Sequence, residues 1–523
     1  MILLDFIWID LTDCLLVLVC NNQYISSMGS KDSYNSLLLH YEKIASLQQV
    51  SEILSWDQQT MMPAKGYENR ARQLSLLSGT IHQLQTDPRI LDLIEDAGTN
   101  SHDSVQMNLK EVKKQFERAT LVPKSLIEEL SSKACLAQAS WLEAKNQNDF
   151  SLFLPELEGI VHLKQNEADC IRDPDTTRYD ALLNDFEPNE TSRNLKDIFF
   201  DLKTSLIKLR KKVLASSVKI PVLKGSFSKA NQLKLGAEIA RKLGYDFEAG
   251  RIDLSAHPFC SGSNTDDVRI TTHVKEADPF YSLFAIMHET GHALYEQGLP
   301  RKTAFEPIGS FVSMGVHESQ SRLIENHVGR SAPFCHYTQD LLLKFFGEVS
   351  IPDKGTLFKM VNRVTNGFIR TEADELTYNL HIMLRFELEE KLIEGNLATK
   401  DLEESWNHLF LTDFDIPVPD ARRGVLQDIH WSLGAFGYFP TYTVGNIYAA
   451  ALFQKITSDY PEAMEQMEKG DIGLIRDWLK SNIYCHGKKF RARNLVERAI
   501  GQPITVKPLL AHLTSKFSEI YNF

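Results

Sequence analysis

The sequence has few cysteines, and none of them forms a C-x-x-C pair. Its seven cysteines are scattered along 523 residues and are odd in number. Disulfide-stapled domains and cysteine-rich zinc sites hold their cysteines at close, regular spacings. The pattern therefore indicates free thiols in a reducing compartment, which we expect to be the cytoplasm. It also leaves histidine and carboxylate as the ligands for any metal.

The chain also lacks an excess of positive charge. It carries 57 lysine and arginine residues against 69 aspartate and glutamate residues, for a net charge of −12. Binding to nucleic acid or to an anionic membrane as the main partner needs a strong basic field. We therefore expect neither nucleic acid nor a membrane among the partners of this protein.

Long uncharged apolar segments are absent as well. The nearest candidate is residues 1–27, but three aspartates interrupt its apolar runs. A membrane-spanning helix needs about 20 predominantly apolar residues. A secretory signal needs basic residues before its apolar part, whereas the first basic residue here is Lys31. We expect residues 1–27 to be an extension outside the folded domain, with Met28 as the true start and residues 28–523 as one domain.

What the sequence has instead is helical periodicity, because apolar residues recur three and four positions apart through most of the chain. The predicted helices include those at about 106–119, 125–146, 151–171, 192–216, 229–243, 279–298, 310–325, 336–348, 355–366, 372–394 and 399–411. Residues 250–259 are interpreted as a loop, and residues 267–274 alternate as a strand does. The predicted fold class is therefore mainly α, with a small β element beside the active site.

One helical segment carries the pattern His288-Glu289-Thr290-Gly291-His292. Residues four apart lie on the same face of a helix, so His288 and His292 can present two imidazole nitrogens to one metal ion. Glu289, next to the first of them, is placed to take a proton from a metal-bound water. Gly291 is costly inside a helix, and close approach of another backbone or of a substrate would explain it.

A catalytic metal site needs a third protein ligand. The longer pattern with a third histidine is excluded, because its positions hold Tyr295 and Gly298. A carboxylate from a following helix is the alternative, and Glu318 lies 26 residues after His292 (318 − 292). The other candidates are Glu296, which we expect to be turned away from the ion, Glu306 in a loop, and Glu325 as an outer-shell or surface residue. We choose Glu318.

This arrangement predicts metal-assisted hydrolysis, with Glu289 passing the proton of water to the leaving amine. The tetrahedral oxyanion needs hydrogen-bond donors. His430 and Tyr442 are candidates, on a glycine-rich loop that could close over a substrate. At this point each of them could equally be an aromatic residue packed in the core.

Taken together, the motifs resemble those of the carboxypeptidase Taq family of metallocarboxypeptidases. The resemblance covers about residues 41–523 and rests on six segments in order: His257-Pro258-Phe259, Asp267-x-Arg269-x-Thr271, His288-Glu289-Thr290-Gly291-His292, His317-Glu318-Ser319-Gln320, Ile369-Arg370-Thr371-Glu372-Ala373-Asp374 and Gly424-x-x-Gln427-Asp428-x-His430-Trp431. Nothing in residues 1–27 contributes to it.

The resemblance implies one zinc ion per chain, or cobalt, held by His288, His292 and Glu318, with Glu289 as general base. It implies a two-lobed helical fold with a deep groove, related to neurolysin, and usually a homodimer. In such relatives a histidine and a tyrosine twelve residues later bind the oxyanion. The same spacing separates His430 and Tyr442 (442 − 430).

The resemblance also gives a function: removal of C-terminal residues from peptides with broad specificity. The alternative is an endo-acting oligopeptidase that uses the same site. An exopeptidase must recognise the terminal carboxylate, which arginine binds with two hydrogen bonds. Arg370 and Arg269 are the candidates, and we favour Arg370; an ion pair with Asp374 or Asp267 is the competing interpretation for either.

Overall fold

A computed structural model describes residues 30–98, 102–347 and 351–523 of the chain. The predicted extension, residues 1–27, and the proposed start at Met28 lie outside these residues. Whether residue 28 onward forms one domain therefore stays a prediction. Within the described ranges, no helix combines the length and apolarity that crossing a membrane requires.

The described chain is mainly α-helical, which confirms the predicted fold class. The helices before the sheet are α1 (Ser30–Thr60), α2 (Tyr67–Gln85), α3 (Arg89–Gly98), α4 (Asp103–Leu121), α5 (Lys124–Gln147), α6 (Leu154–Ile171), α7 (Arg178–Leu183), α8 (Ser192–Leu214) and α9 (Lys229–Leu243). Those after it are α10 (Pro279–Gly298), α11 (Met314–Arg322), a π-helix (Leu323–Gly329), α12 (Ala332–Phe346), α13 (Lys354–Val361), α14 (Glu375–Ile393), α15 (Leu402–Phe414), α16 (Pro440–Asp459), α17 (Ala463–Glu468), α18 (Gly473–Asn482), α19 (Ala492–Ile500) and α20 (Lys507–Tyr521).

The β element is a three-stranded sheet of β1 (Ile252–Leu254), β2 (Cys260–Asn264) and β3 (Asp267–Thr272), in the order β1-β3-β2. Strand β3 confirms the predicted strand, and it pairs in parallel with β1 and antiparallel with β2. The interpretation of residues 250–259 as a loop was wrong for Ile252–Leu254, which form β1. A three-residue strand is too short to show an alternating pattern, and its pairing with β3 is a tertiary contact.

Helix α10 lies in the core and has the predicted bounds. Asp278 caps it by accepting a hydrogen bond from the backbone N–H of Phe280, and Pro279 occupies the first turn, where it needs no donor. Leu283, Ile286 and Met287 are among its buried residues. The helix therefore presents a rigid surface to its neighbours.

Glycines set the distances between the helices around α10. A Cβ at Gly291 would lie 2.5 Å from the backbone oxygen of Gln320 in α11. A Cβ at Gly445 in α16 would lie 2.7 Å from the Cβ of Glu318. The expected reason for Gly291, close approach of another backbone, is therefore what the structure shows, and α11 is held tightly between α10 and α16.

Candidate metal centre

The structure brings His288, His292 and Glu318 together at the contact of α10 with α11. The Oε2 atom of Glu318 lies 3.7 Å from Nε2 of His288 and 3.4 Å from Nε2 of His292. Their ligand atoms all lie within 4.8 Å of one another. Donors bound to one tetrahedral zinc at about 2.0–2.1 Å stand roughly 3.4 Å apart. Two imidazoles and one carboxylate at these separations fit a divalent metal ion.

Glu318 is held by its second oxygen. Arg322 Nε donates to Oε1 over 2.6 Å, which leaves Oε2 directed toward the two histidines. Burial alone would raise the pKa of Glu318, but Arg322 and the histidines hold that pKa well below its usual range. Glu318 is therefore held as an anion, and its Oε2, which also accepts a hydrogen bond of 3.3 Å from the hydroxyl of Ser321, faces the two histidines.

His288 is oriented by Glu325. Its Nδ1 lies 3.0 Å from Oε2 of Glu325, and Arg330 donates to the other oxygen of that carboxylate over 3.0 Å. Glu325 thus stands behind His288, as expected of an outer-shell residue. A carboxylate at this position fixes the proton on Nδ1 and directs the Nε2 lone pair into the site.

His292 is oriented by a second imidazole, that of His317. The two Nδ1 atoms are 2.6 Å apart, and Nε2 of His317 lies 2.7 Å from Oε1 of Glu296. The consistent arrangement has His292 Nδ1–H donating to His317, and His317 Nε2–H donating to Glu296. Burial and the neighbouring His317 lower the pKa of His292 to about 3, so its imidazole is neutral and ready to bind metal.

His317 and Arg322 are functional residues that sequence reasoning missed. His317 stands in one of the motifs of the family resemblance, but no role was predicted for it. Its position next to the predicted ligand Glu318 could have indicated a role, because adjacent residues on a helix can contact two different parts of one site. Glu296 was expected to be turned away from the ion, and the structure places it on His317, behind His292. The fourth candidate, Glu306, accepts a hydrogen bond from Tyr34.

Glu289 is buried next to His288, with a relative exposure of 6%. Burial raises its pKa from 4.5 to about 7. A carboxyl group with a pKa near neutrality can both accept and return a proton.

His430 and Tyr442 are also brought together, because Nε2 of His430 lies 3.2 Å from the hydroxyl oxygen of Tyr442. The expectation that both lie on a loop was wrong, because His430 begins a short 3-10 helix (His430–Leu433) and Tyr442 stands in the first turn of α16. Pro440 favours a helix start there. Gly445, one turn further along α16, lies against Glu318, so the tyrosine is close to the metal ligands.

Arg370 is buried beside this pair, with its guanidinium 5.1 Å from the ring centre of Tyr442. Its Nε and Nη2 both donate to Oδ1 of Asp428, and Arg385 Nε donates to Oδ2. The ion pair considered for Arg370, with Asp374 or Asp267, was therefore wrong, because the partner of Arg370 is Asp428. Asp374 is instead the N-cap of α14.

Arg269 lies on β3, where it forms two hydrogen bonds to Asp267 of 2.7 and 2.8 Å. Its guanidinium also stands 4.6 Å from the ring centre of Trp56 in α1. The ion pair weighed as an alternative for Arg269 is thus present, and the side chain packs between the sheet and α1.

Comparison with known proteins identifies the same family that the sequence motifs resemble. A family model described as carboxypeptidase Taq (M32) metallopeptidase matches residues 36–517. Thermostable carboxypeptidase 1 of Thermus thermophilus is 38% identical over 512 residues, which cover 94% of this chain and 100% of that protein. Carboxypeptidase 1 of Bacillus subtilis is 34% identical over 489 residues, which cover 92% of this chain and 97% of the relative.

Solved structures share the fold. The M32 carboxypeptidase of Deinococcus radiodurans R1 has a TM-score of 0.89 and 35% identity, covering 94% of this chain and 100% of that one. Metallocarboxypeptidase 1 of Trypanosoma cruzi has a TM-score of 0.89 and 32% identity, covering 94% of this chain and 99% of that one.

Proposed function

The chain belongs to the carboxypeptidase Taq (M32) family of metallopeptidases, and we propose on that basis that it removes residues one at a time from the C-termini of peptides, with broad specificity. The observation that carries the proposal is the cluster of His288, His292 and Glu318 with Glu289 buried beside it. Two imidazoles and a carboxylate, with an acid–base group next to them, are the parts of a metal-dependent hydrolase.

We assign the metal to His288, His292 and Glu318, and we propose zinc, with cobalt as a substitute. A bound divalent ion would polarise the scissile carbonyl and make water acidic enough to attack at neutral pH. The protein's own part is to hold the three donors rigidly. Arg322, Glu325 and His317 do this, because each fixes one ligand from behind.

Glu289 moves the proton in this proposal. It takes a proton from the attacking water and gives it to the nitrogen of the departing residue. Its burial supports the role, since a pKa of about 7 suits a group that must do both. A neighbouring cation favours the carboxylate form, so Glu289 would start each cycle ionised.

We assign oxyanion stabilisation to Tyr442, supported by His430. Burial lowers the pKa of His430 to about 3 and raises that of Tyr442 well above its usual range, so both groups are neutral. His430 Nδ1 is buried without a partner, which favours the tautomer that carries its proton on Nε2. That proton is donated to the oxygen of Tyr442, and the hydroxyl hydrogen of Tyr442 can then turn from its neighbour Tyr438 to the oxyanion.

Recognition of the terminal carboxylate falls to Arg370 in this proposal, and Arg269 is the second candidate. Of the five N–H bonds of the Arg370 guanidinium, Nε and one on Nη2 reach Asp428, and one on Nη1 reaches the hydroxyl of Tyr378. One remains on each of Nη1 and Nη2. A planar fork of two N–H donors matches a carboxylate, and the charge of Asp428 makes the burial of Arg370 tolerable.

Hydrolysis of two versions of one peptide tests the proposal. A carboxypeptidase cleaves the peptide with a free C-terminal carboxylate and spares the version with a C-terminal amide. Equal kcat/KM values for the two peptides would show that the enzyme does not recognise the terminal carboxylate, which would contradict the role proposed for Arg370. Internal cleavage of a peptide blocked at both ends would favour the endo-acting oligopeptidase instead.

A further inference from the structure

A second group of metal-binding side chains meets away from Glu318. It consists of His327 in the π-helix, Glu375 at the start of α14 and His512 in α20, with ligand atoms all within 4.8 Å of one another. Nε2 of His512 lies 2.9 Å from Oε1 of Glu375. The ring centres of His327 and His512 are 4.1 Å apart. Three segments that are distant in sequence thus place two imidazoles and a carboxylate around one point.

The three groups have the protonation states that metal binding requires. Burial lowers the pKa of His327 well below its usual value, and it lowers that of His512 too, so both imidazoles are neutral. Burial alone would raise the pKa of Glu375, but Lys516 and His512 hold it well below its usual range. A metal ion entering the site would not have to displace protons from charged imidazoles or from the carboxyl group.

The carboxylate is held in the same way as the one in the first site. Lys516 Nζ donates to Oε2 of Glu375 over 2.6 Å, and the other oxygen faces the imidazoles. In the first site Arg322 Nε donates to one oxygen of Glu318, also over 2.6 Å, and the other oxygen faces His288 and His292. Lys516 thus corresponds to Arg322: a cation that fixes the carboxylate from behind.

His327 has a buried ring nitrogen that lacks a hydrogen-bond partner. Its relative exposure is 3%, and its Nδ1 atom is buried with no hydrogen-bond partner. Buried polar atoms in native proteins almost always have a partner. The side chain of His512 retains an exposure of 21%, so an ion could reach the group from solvent along that side.

We propose that His327, Glu375 and His512 form a second binding site for a divalent transition metal of the zinc class, which raises the metal content from one ion to two. On binding, the Nε2 proton of His512 leaves to solvent and the ion takes its place, while Nδ1 takes up one proton from solvent, so the imidazole stays neutral. The ion cross-links α20 and α14 to the π-helix. Because the π-helix continues directly from α11, the site braces the helix that carries Glu318.

Zinc content tests this proposal, with zinc chloride as the probe. The full chain is stripped with a chelator, loaded, dialysed against metal-free buffer and analysed by mass spectrometry of the metal. We expect two zinc ions per chain in the wild type and one in His512→Gln. The matched control His408→Gln, at an exposed histidine of α15, should keep two. One ion in the wild type, or two in His512→Gln, would overturn the proposal.

Two further measurements keep the result decisive. His292→Gln breaks the first site and should keep one zinc ion, which the double variant with His512→Gln loses. If His512→Gln does not fold, titration of the wild type with Co²⁺ decides. We expect visible absorption to grow up to two equivalents, whereas saturation at one equivalent rules the second site out.

Discussion

His317 shows how a residue with no direct contact to metal can determine the site. It is the link between His292 and Glu296, at 2.6 and 2.7 Å. Without it, Nδ1 of His292 would lose its partner and the ring would be free to rotate. The two histidine ligands are therefore supported differently, His288 by a carboxylate directly and His292 through another ring.

We predict that His317→Phe weakens zinc binding by about 10- to 100-fold, because removing an outer-shell partner has that effect on metal sites. His317→Gln should retain part of the affinity, since its amide oxygen can still accept from His292. Competition with a chromophoric zinc chelator measures both. Unchanged affinity in His317→Phe would mean that the hydrogen bond to His292 does not orient it.

The role proposed for Tyr442 depends on its hydroxyl group alone. Tyr442→Phe keeps the ring that packs against Tyr438, 5.2 Å away between centroids, and removes the donor. We expect kcat to fall by about 10²- to 10³-fold, the loss typical of one oxyanion donor, with little change in KM and full zinc content. Steady-state kinetics provides the test, and a fall confined to KM would assign Tyr442 to substrate binding.

At the residue scale, sequence could propose the ligands and one of their supports, Glu325, but not the others. His288 and His292 were proposed from helical spacing, and Glu318 from its position after them. The roles of His317 and Asp428 depend on which helices meet, because Asp428 reaches Arg370 from 58 residues away. Spacing along the chain does not encode such contacts.

Among the secondary-structure elements, the contact of α10 with α11 is the critical one for the site. In Gly291→Ala the new Cβ would lie 2.5 Å from the Gln320 oxygen and from the Ser321 Cα, so the helices must separate. We expect a loss of about 1–3 kcal/mol in the free energy of unfolding, with weaker zinc binding.

The matched control is Gly79→Ala in α2, where a Cβ meets nothing within 4 Å. Because alanine favours a helix interior by about 1 kcal/mol over glycine, that variant should be neutral or more stable. Urea unfolding measures both variants, and equal effects would refute the close-packing explanation.

A buried carboxyl group at the N-terminus of α11 predicts a pH dependence. Glu187 is 2% exposed and accepts from the backbone N–H of Gly315 over 3.0 Å. Burial raises its pKa from 4.5 to about 7. The folded chain therefore holds this proton where the unfolded chain has lost it, so its contribution is full below pH 4.5 and disappears as pH rises through about 7.

Glu187→Gln should remove this contribution while keeping an acceptor for Gly315. We expect the fall in unfolding free energy between pH 5 and pH 8 to be smaller in the variant, by up to roughly 3 kcal/mol. Parallel urea titrations at both pH values measure the difference. The same slope in both proteins would show that Glu187 does not titrate in this range.

Helix positions were predictable where periodicity is strong, as in α9 and α10. The predicted helix at 310–325 is instead a helix that begins at Met314 and passes into a π-helix at Leu323. The wider turn of a π-helix is a local departure that apolar spacing does not reveal. Strands β1 and β2 were missed because their pattern is short and their partner is remote.

For the whole molecule, the family and the carboxypeptidase class are established by matches over nearly the full chain. The four cysteines whose side chains are described, Cys170, Cys260, Cys335 and Cys485, are free thiols, as expected. The homodimer, the cytoplasmic location and the absence of nucleic-acid and membrane partners stay predictions.

The central claim is that a metal held by His288, His292 and Glu318 drives cleavage from the C-terminus, with Glu289 moving the proton. A mass-spectrometric time course on one long peptide tests it most directly, using chelated enzyme, the same enzyme after zinc is restored, and zinc-loaded Glu289→Gln. We predict a ladder of products shortened from the C-terminus with restored zinc alone. Internal fragments, or an equal ladder from the chelated enzyme or from Glu289→Gln, would contradict the account.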